Sequence, residues 1–259
     1  MVQKHLVNPY NFYSFFTMLN RKQLPALAKI NKKIDLQLLR EYIINNHYDD
    51  YNKYNDIKYS ANSNHQAFLI ANEYCKESFF KESDAPLLEG EKYKQLYLTN
   101  IDPSLITTDS TKLSETHKNI FTRTKRLDRT HTLYVPEADE LNYGLRNEHC
   151  VGIFDDILNM FTSKVTRVRL AVLSDHFEIK PHVDYDPSYI TRYHIPIFNN
   201  DEVIYGFRVN KVDQEYQMIE DGSVYFFNSG HVHWVKNLGD KPRLNLIIDT
   251  HGQEDLVFQ

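Results

Sequence analysis

A chain of 259 residues with 41% apolar and 25% charged side chains has the balance of a globular protein and is not an extended disordered chain. Its net charge of −5 comes from acidic and basic residues interspersed along the sequence, so no basic stripe marks a nucleic-acid partner. The two distant cysteines, Cys75 and Cys150, exclude a zinc knuckle and a disulfide scaffold, and point to a reducing cytosol.

In chain order, the apolar run Phe12–Leu19 is broken by Ser14 and Thr17 and is followed by no small-residue cleavage site. No later stretch approaches the roughly 20 apolar residues of a membrane span. The expectation is a soluble, unprocessed cytoplasmic protein with no membrane partner. Apolar residues at helical spacing predict helices over Leu36–Ile44 (LQLLREYII) and His65–Phe80, with the Tyr/Asn/Asp-rich segment Asn46–Asn62 as a loop between them. The Ser/Thr/Asp-rich stretch Asp102–Glu115, with Pro103, marks a boundary. Residues 1–115 are therefore expected to form a mostly helical N-terminal region, serving as a lid, an interface or packing on the core. Residues 116–259 form the core itself.

Arg123, Lys125, Arg126 and Arg129 form the densest basic patch, read as a solvated loop. Thr130–Val135 has strand composition and is closed by Pro136, while Phe154–Phe161 (FDDILNMF) has helical spacing. Eight short β-like runs follow: Val165–Leu173, Phe177–Tyr185, Tyr189–Phe198, Val203–Val209, Tyr216–Ile219, Ser223–Asn228, His231–Val235 and Arg243–Asp249. Turn signals such as Asp186-Pro187, Asp221-Gly222 and Gly239-Asp240 separate them. The fold class is mainly β, a jelly-roll-type sandwich or barrel with helices packed outside.

The chemistry centres on Pro181-His182-Val183-Asp184-Tyr185. Residues two apart on a strand share a face, so His182 and Asp184 aim one imidazole and one carboxylate at the same volume. One more imidazole would complete the two-His, one-carboxylate face that suits non-haem Fe(II) and leaves coordination positions open. Downstream, His231 and His233 also share a face, and periodicity does not choose between them. Standing alone, each of these would read as a surface or hydrogen-bonded strand histidine.

The core text as a set is more specific. VTRVRLAVL, IKPHVDY, ITRYHIPIF followed by Asn199-Asn200, QMIEDGSVYFFN and HVHWVKNLGDKPRLNLIID follow one another in this order. Residues 165–250 resemble the aspartyl/asparaginyl β-hydroxylase family of Fe(II)/2-oxoglutarate oxygenases, which includes proline cis-hydroxylases. The resemblance implies a double-stranded β-helix, cupin-like core, with Fe(II) held by His182, Asp184 and His233. Some members use two histidines alone; Asp184 places this chain with those that keep the full triad. Arg243, ten residues after His233, matches the arginine that pairs with the far carboxylate of 2-oxoglutarate. His231 would put Lys241 at that offset, and a lysine cannot grip a carboxylate through two parallel hydrogen bonds.

Arg192 and His194 match a family R-x-H pair that contacts 2-oxoglutarate or the substrate carboxylate. An unpaired Arg192 would select a carboxylate-bearing substrate. Trp234 is expected as a pocket wall or barrel plug, and Tyr185 and Tyr193 as packing or supporting residues, Tyr185 also being a pocket candidate. The resemblance implies hydroxylation of an amino acid, free or in a peptide or protein, with O2 as co-substrate and succinate and CO2 as products. Two other readings are a metal-binding cupin that needs no keto acid, and therefore no Arg243, and a non-catalytic β-barrel binding module.

Overall fold

The computed structural model describes residues 18–51, 54, 92–100, 141 and 143–259. The expected helix His65–Phe80, strand Thr130–Val135, boundary Asp102–Glu115 and basic patch lie outside these residues, as do Cys75 and most of the run Phe12–Leu19.

Period-two patterning explains the core. In order the elements are β1 (Leu27–Lys33), α1 (Leu36–Asn45), β2 (Tyr93–Tyr97), β3 (Thr99–Asn100), β4 (Leu145–Arg146), α2 (Ile153–Asn159), β5 (Lys164–Leu173), β6 (Phe177–His182), β7 (Thr191–Phe198), β8 (Val203–Val209), β9 (Val212–Tyr216), β10 (Ser223–Phe227), β11 (Val232–Asn237) and β12 (Arg243–His251). A six-stranded sheet has the order β1-β10-β7-β12-β5-β2, a four-stranded sheet β6-β11-β8-β9, and β3 pairs with β4. From β5 onward the chain steps back and forth between the two main sheets, broken only by the β8–β9 hairpin within the small one. That winding is the double-stranded β-helix.

The large sheet is covered on both faces, so its strands are buried almost throughout. Val168, Leu170 and Val172 of β5, Leu244, Leu246 and Ile248 of β12, and Tyr193, Ile195 and Ile197 of β7 turn outward into one apolar core. Leu39 and Ile43 of α1 and Phe154, Ile157 and Leu158 of α2 close that core from outside. Each fully buried aliphatic side chain there stabilises the fold by about 1.5–3 kcal/mol. The side chain of Asp35 caps α1 by accepting from the Leu38 amide at 2.9 Å. The opposite face of the same strands meets the small sheet, where Leu173, Tyr205, Phe207, Tyr225, Phe227 and Val235 form a second core.

Two departures from the sequence reading have clear causes. The residues before 115 contribute the predicted helix α1 but also strands: β1 pairs with β10 and β2 with β5, so they are the outer strands of the large sheet. β1 reads LAKINKK, and its lysines disguise a strand while suiting an exposed edge. The strand expected at Tyr216–Ile219 runs instead over Val212–Tyr216, because Val209 and Val212 pair directly across a two-residue turn. Asn210 and Lys211 both have positive φ (51° and 69°), the tight-hairpin conformation, without the glycine that would have announced it. Among the described residues no helix is long and apolar enough to cross a membrane.

Candidate metal centre

β6 and β11 pair antiparallel, with His182 opposite His233. The ladder slips between Val235, which faces Ile179, and His233, which faces His182. Lys180-Pro181 thus carry a β-bulge, and the missing amide of Pro181 suits the interrupted ladder. The bulge lets Ile179 enter the apolar core while His182, three residues on, still turns towards His233. Asp184 follows in the loop after β6, fixed by its amide donating to the Ser229 carbonyl at 3.0 Å.

His182, Asp184 and His233 each offer an atom that could hold a metal ion, and these atoms all lie within 4.8 Å of one another. Asp184 places one carboxylate oxygen 4.0 Å from His182 Nε2 and the other 3.9 Å from His233 Nε2. Each imidazole pairs its Nδ1 with the backbone carbonyl two residues before it: His182 with Lys180 at 2.7 Å, His233 with His231 at 3.0 Å. Donation from Nδ1–H fixes the tautomer and leaves the Nε2 lone pair free towards the cluster. Burial pushes the His233 pKa down to about 4, against the opposing pull of Asp184, so this imidazole is neutral at pH 7. Burial alone would raise the Asp184 pKa, but the Arg192 guanidinium outweighs it and holds the carboxyl well below its ordinary range. Two imidazoles with Nε2 turned to the cluster and an ionised carboxylate fit the donor set of a non-haem Fe(II) site.

Of the two downstream histidines, His233 joins the cluster, whereas His231 supplies only its carbonyl. Arg243 and His194 lie on the inner face of the large sheet. Arg243 is 1% exposed, stacks over Tyr205 at 5.9 Å, and its Nε has no hydrogen-bond partner among the described residues. With its amide oxygen turned inward, Asn245 accepts from Arg243 Nη1 at 2.9 Å, from the Tyr205 hydroxyl at 3.1 Å and from His194 Nδ1 at 3.2 Å. His194 Nε2 is likewise buried and unpartnered, and the ring stacks on Phe227 at 4.5 Å. Burial, reinforced by Arg243, holds the His194 pKa well below its usual value. Phe227 in turn meets His233 edge-on at 5.1 Å, which links this deep polar patch to the metal ligands.

Arg192 is not the unpaired arginine expected. Asp249 lies directly opposite it on β12, and accepts from Arg192 Nε at 2.7 Å and Nη2 at 3.1 Å. Its remaining Nη1 donates to Asp184. Trp234 is also corrected: it is not a wall of the pocket. Strand alternation turns it away from His233, and it lies over Gly206 on the other side of the small sheet, where a Cβ on that glycine would meet the indole at 1.9 Å. Tyr193 packs in the outer core against Phe161 at 5.2 Å. Tyr185 joins Tyr189 (5.3 Å) and, through it, His251 (6.3 Å) in a row of half-buried rings following Asp184.

The sequence reading assigned no role to Asp249, Arg169, Asn245 or Tyr205. A signal was present: in VTRVRLAVL and RLNLIID the polar residues recur at period two within otherwise apolar strands. That pattern marks a polar inner face on a buried sheet.

No curated protein matches the chain. Among solved structures, a 2OG-Fe(II) oxygenase family oxidoreductase from Burkholderia pseudomallei shares 12% identity over 62% of this chain and 70% of its own, with a TM-score of 0.35. A predicted oxalate decarboxylase from Thermotoga maritima shares 18% identity over 37% and 71%, with a TM-score of 0.26. A cupin domain from Bordetella pertussis Tohama I shares 15% over 36% and 88%, with a TM-score of 0.27. The fold is read from the strand order above and not from these partial overlaps. The sequence profile for aspartyl/asparaginyl beta-hydroxylase matches residues 105–252, more than half of the chain and all three clustered ligands. The chain belongs to the aspartyl/asparaginyl beta-hydroxylase family.

Proposed function

We propose that the chain is an Fe(II)- and 2-oxoglutarate-dependent hydroxylase. It acts on an unactivated C–H of an amino acid, free or within a peptide or protein, and releases succinate and CO2. The observation that carries this reading is the convergence of His182, Asp184 and His233 within 4.8 Å, beside an inner face that holds a buried, incompletely bonded Arg243. When bound, iron and 2-oxoglutarate supply the activation of O2 that hydroxylation requires.

The chain's own residues bind, orient and exclude water. His182 and His233 offer lone pairs fixed by the carbonyls of Lys180 and His231. Asp184 offers a carboxylate that stays ionised at pH 7. The guanidinium of Arg243 pairs with the far carboxylate of the keto acid, a contact that satisfies its orphaned Nε in a site where water is excluded by Tyr205, Phe207 and Phe227. His194 lies on the same face, where its Nε2 is left to accept a hydrogen bond from a donor group of the substrate. Tyr185 is the candidate for contact with the substrate. A cupin that needs no keto acid would have no use for a buried arginine with an unsatisfied donor, and this favours the 2-oxoglutarate reading.

Succinate formation tests it. Purified protein with Fe(II), ascorbate and 2-oxoglutarate in air is expected to form succinate, faster in the presence of one member of an amino-acid and peptide panel. His233→Ala should lower that rate by more than about 100-fold, the upper figure for residues that only support a ligand. Succinate formation that persists in the variant, or that does not depend on iron, would sink the reading.

A further inference from the structure

The buried charges beside the metal cluster form a relay across four elements. Asp249 on β12 is fully buried and accepts from guanidiniums on both neighbouring strands: Arg192 of β7 and Arg169 of β5, the latter at 2.9 Å. Arg192 then donates its remaining Nη1 to Asp184. The geometry has a direction. Two of the Arg192 nitrogens are held by Asp249 through a bidentate pair, which fixes the guanidinium plane, and the third is left aimed at one oxygen of Asp184.

A carboxylate side chain can chelate a metal through both oxygens or swing away from it. A fixed donor on one oxygen restricts it to ligation through the other.

We propose that Arg192 is the positioning residue for Asp184, and that Asp249, braced by Arg169, is the anchor that aims it. The relay makes Asp184 a single-oxygen ligand and so keeps a coordination position open. This rests on the reading of His182, Asp184 and His233 as metal ligands. It reassigns Arg192 from a carboxylate-binding residue to a supporter of the metal site. It also gives a purpose to a buried cluster that is costly to build unless every charge is paired.

The test is Co(II) affinity, measured by titration in the absence of 2-oxoglutarate. Asp249→Asn alone would take from the buried Arg169 guanidinium its carboxylate partner and can unfold the protein. The variant of choice therefore combines Arg169→Gln with Asp249→Asn, which removes one charge of each sign and replaces the bidentate ion pair on Arg192 by hydrogen bonding to an uncharged amide oxygen. Its Co(II) affinity is expected to fall about 10- to 100-fold, the usual range for supporters of a metal ligand. Arg192→Lys, which keeps the charge and loses the planar fork, should fall in the same direction.

In an Asp184→Ala background neither change should weaken Co(II) binding further, because the relay acts only through that carboxylate. Affinity within threefold of wild type in the folded double variant overturns the proposal. So does a loss of equal size in the Asp184→Ala background, and so does an Arg192→Lys protein that keeps its Co(II) affinity while its KM for 2-oxoglutarate rises. Absence of Co(II) binding by the wild-type protein overturns the metal-site reading, and the proposal with it.

Discussion

The two faces of the large sheet are built from the same strands and do opposite things. On β5, Val168, Leu170 and Val172 face the helices, while Arg167, Arg169 and Ala171 alternate with them on the inner side. On β12, Leu244, Leu246 and Ile248 face outward, and Arg243, Asn245 and Asp249 inward. Both faces are buried, so exposure does not separate them. The outer face gains from burial of apolar area. The inner face holds charges whose desolvation cost is offset only by their pairing with one another, or with what they bind. The outer face is thus apolar packing alone, whereas the inner face combines a second apolar core with the charges that carry the chemistry.

The sharpest way to break the comparison is to change one inner residue whose partner is the ligand. Arg243→Gln removes the charge and the fork together. Losing one member of a buried, hydrogen-bonded charge pair costs about 2–5 kcal/mol, a rise in KM for 2-oxoglutarate of roughly 30- to 5000-fold. Steady-state kinetics at varied keto acid would measure it. The melting temperature should stay near wild type, since Arg243 is only partly satisfied by the protein itself. An unchanged KM would remove Arg243 from the site.

The converse change lies three residues away, on the other face of β12. Leu246→Ala on the outer face opens a cavity among fully buried side chains and should cost about 2–5 kcal/mol of stability. For a protein of this size that lowers the melting temperature by roughly 4–20 °C. Calorimetry reads the shift, while kcat at low temperature should stay within about twofold, because Leu246 touches nothing on the inner side. A variant that kept its stability and lost turnover would mean that the two faces are not separable.

How much of this contrast could be read from the sequence depends on the interaction concerned. Local periodicity placed α1, α2 and most core strands, but Asp184 lies in the loop beyond the end of β6 at His182, where strand alternation no longer applies. On β11 the alternation, continued one residue past His233, turns Trp234 to the other side of the small sheet. The bulge at Lys180-Pro181 and the glycine-free turn at Asn210-Lys211 carry no distinct local signal. The pairing of Arg192 with Asp249 spans 57 residues and depends on which strand lies between β5 and β7, so the composition of neither strand reveals it. The lysines of β1 hid a strand for a related reason: its apolar partner, β10, lies at the other end of the chain.

The smallest expected effect separates the faces by acid. His194 is held neutral in the folded protein by burial and by Arg243, whereas the unfolded chain takes up a proton as pH falls below about 6.5. The unfolded state then binds more protons, so stability decreases on acidification, at up to about 1.4 kcal/mol per pH unit for this one group. Asp249 acts in the same direction in a lower window. Burial would raise its pKa, but Arg192 and Arg169 overcome this and hold the carboxylate ionised when folded. Its contribution is therefore present above the unfolded value of about 4 and is lost as pH falls below it. Chemical denaturation between pH 7 and 5 should show a slope that is shallower by up to one proton in His194→Gln, whereas Leu246→Ala should lower the whole curve without changing its slope. If His194→Gln leaves the slope unchanged, the inner face does not hold this imidazole neutral, and its assigned tautomer, with Nε2 open to a ligand, fails with it.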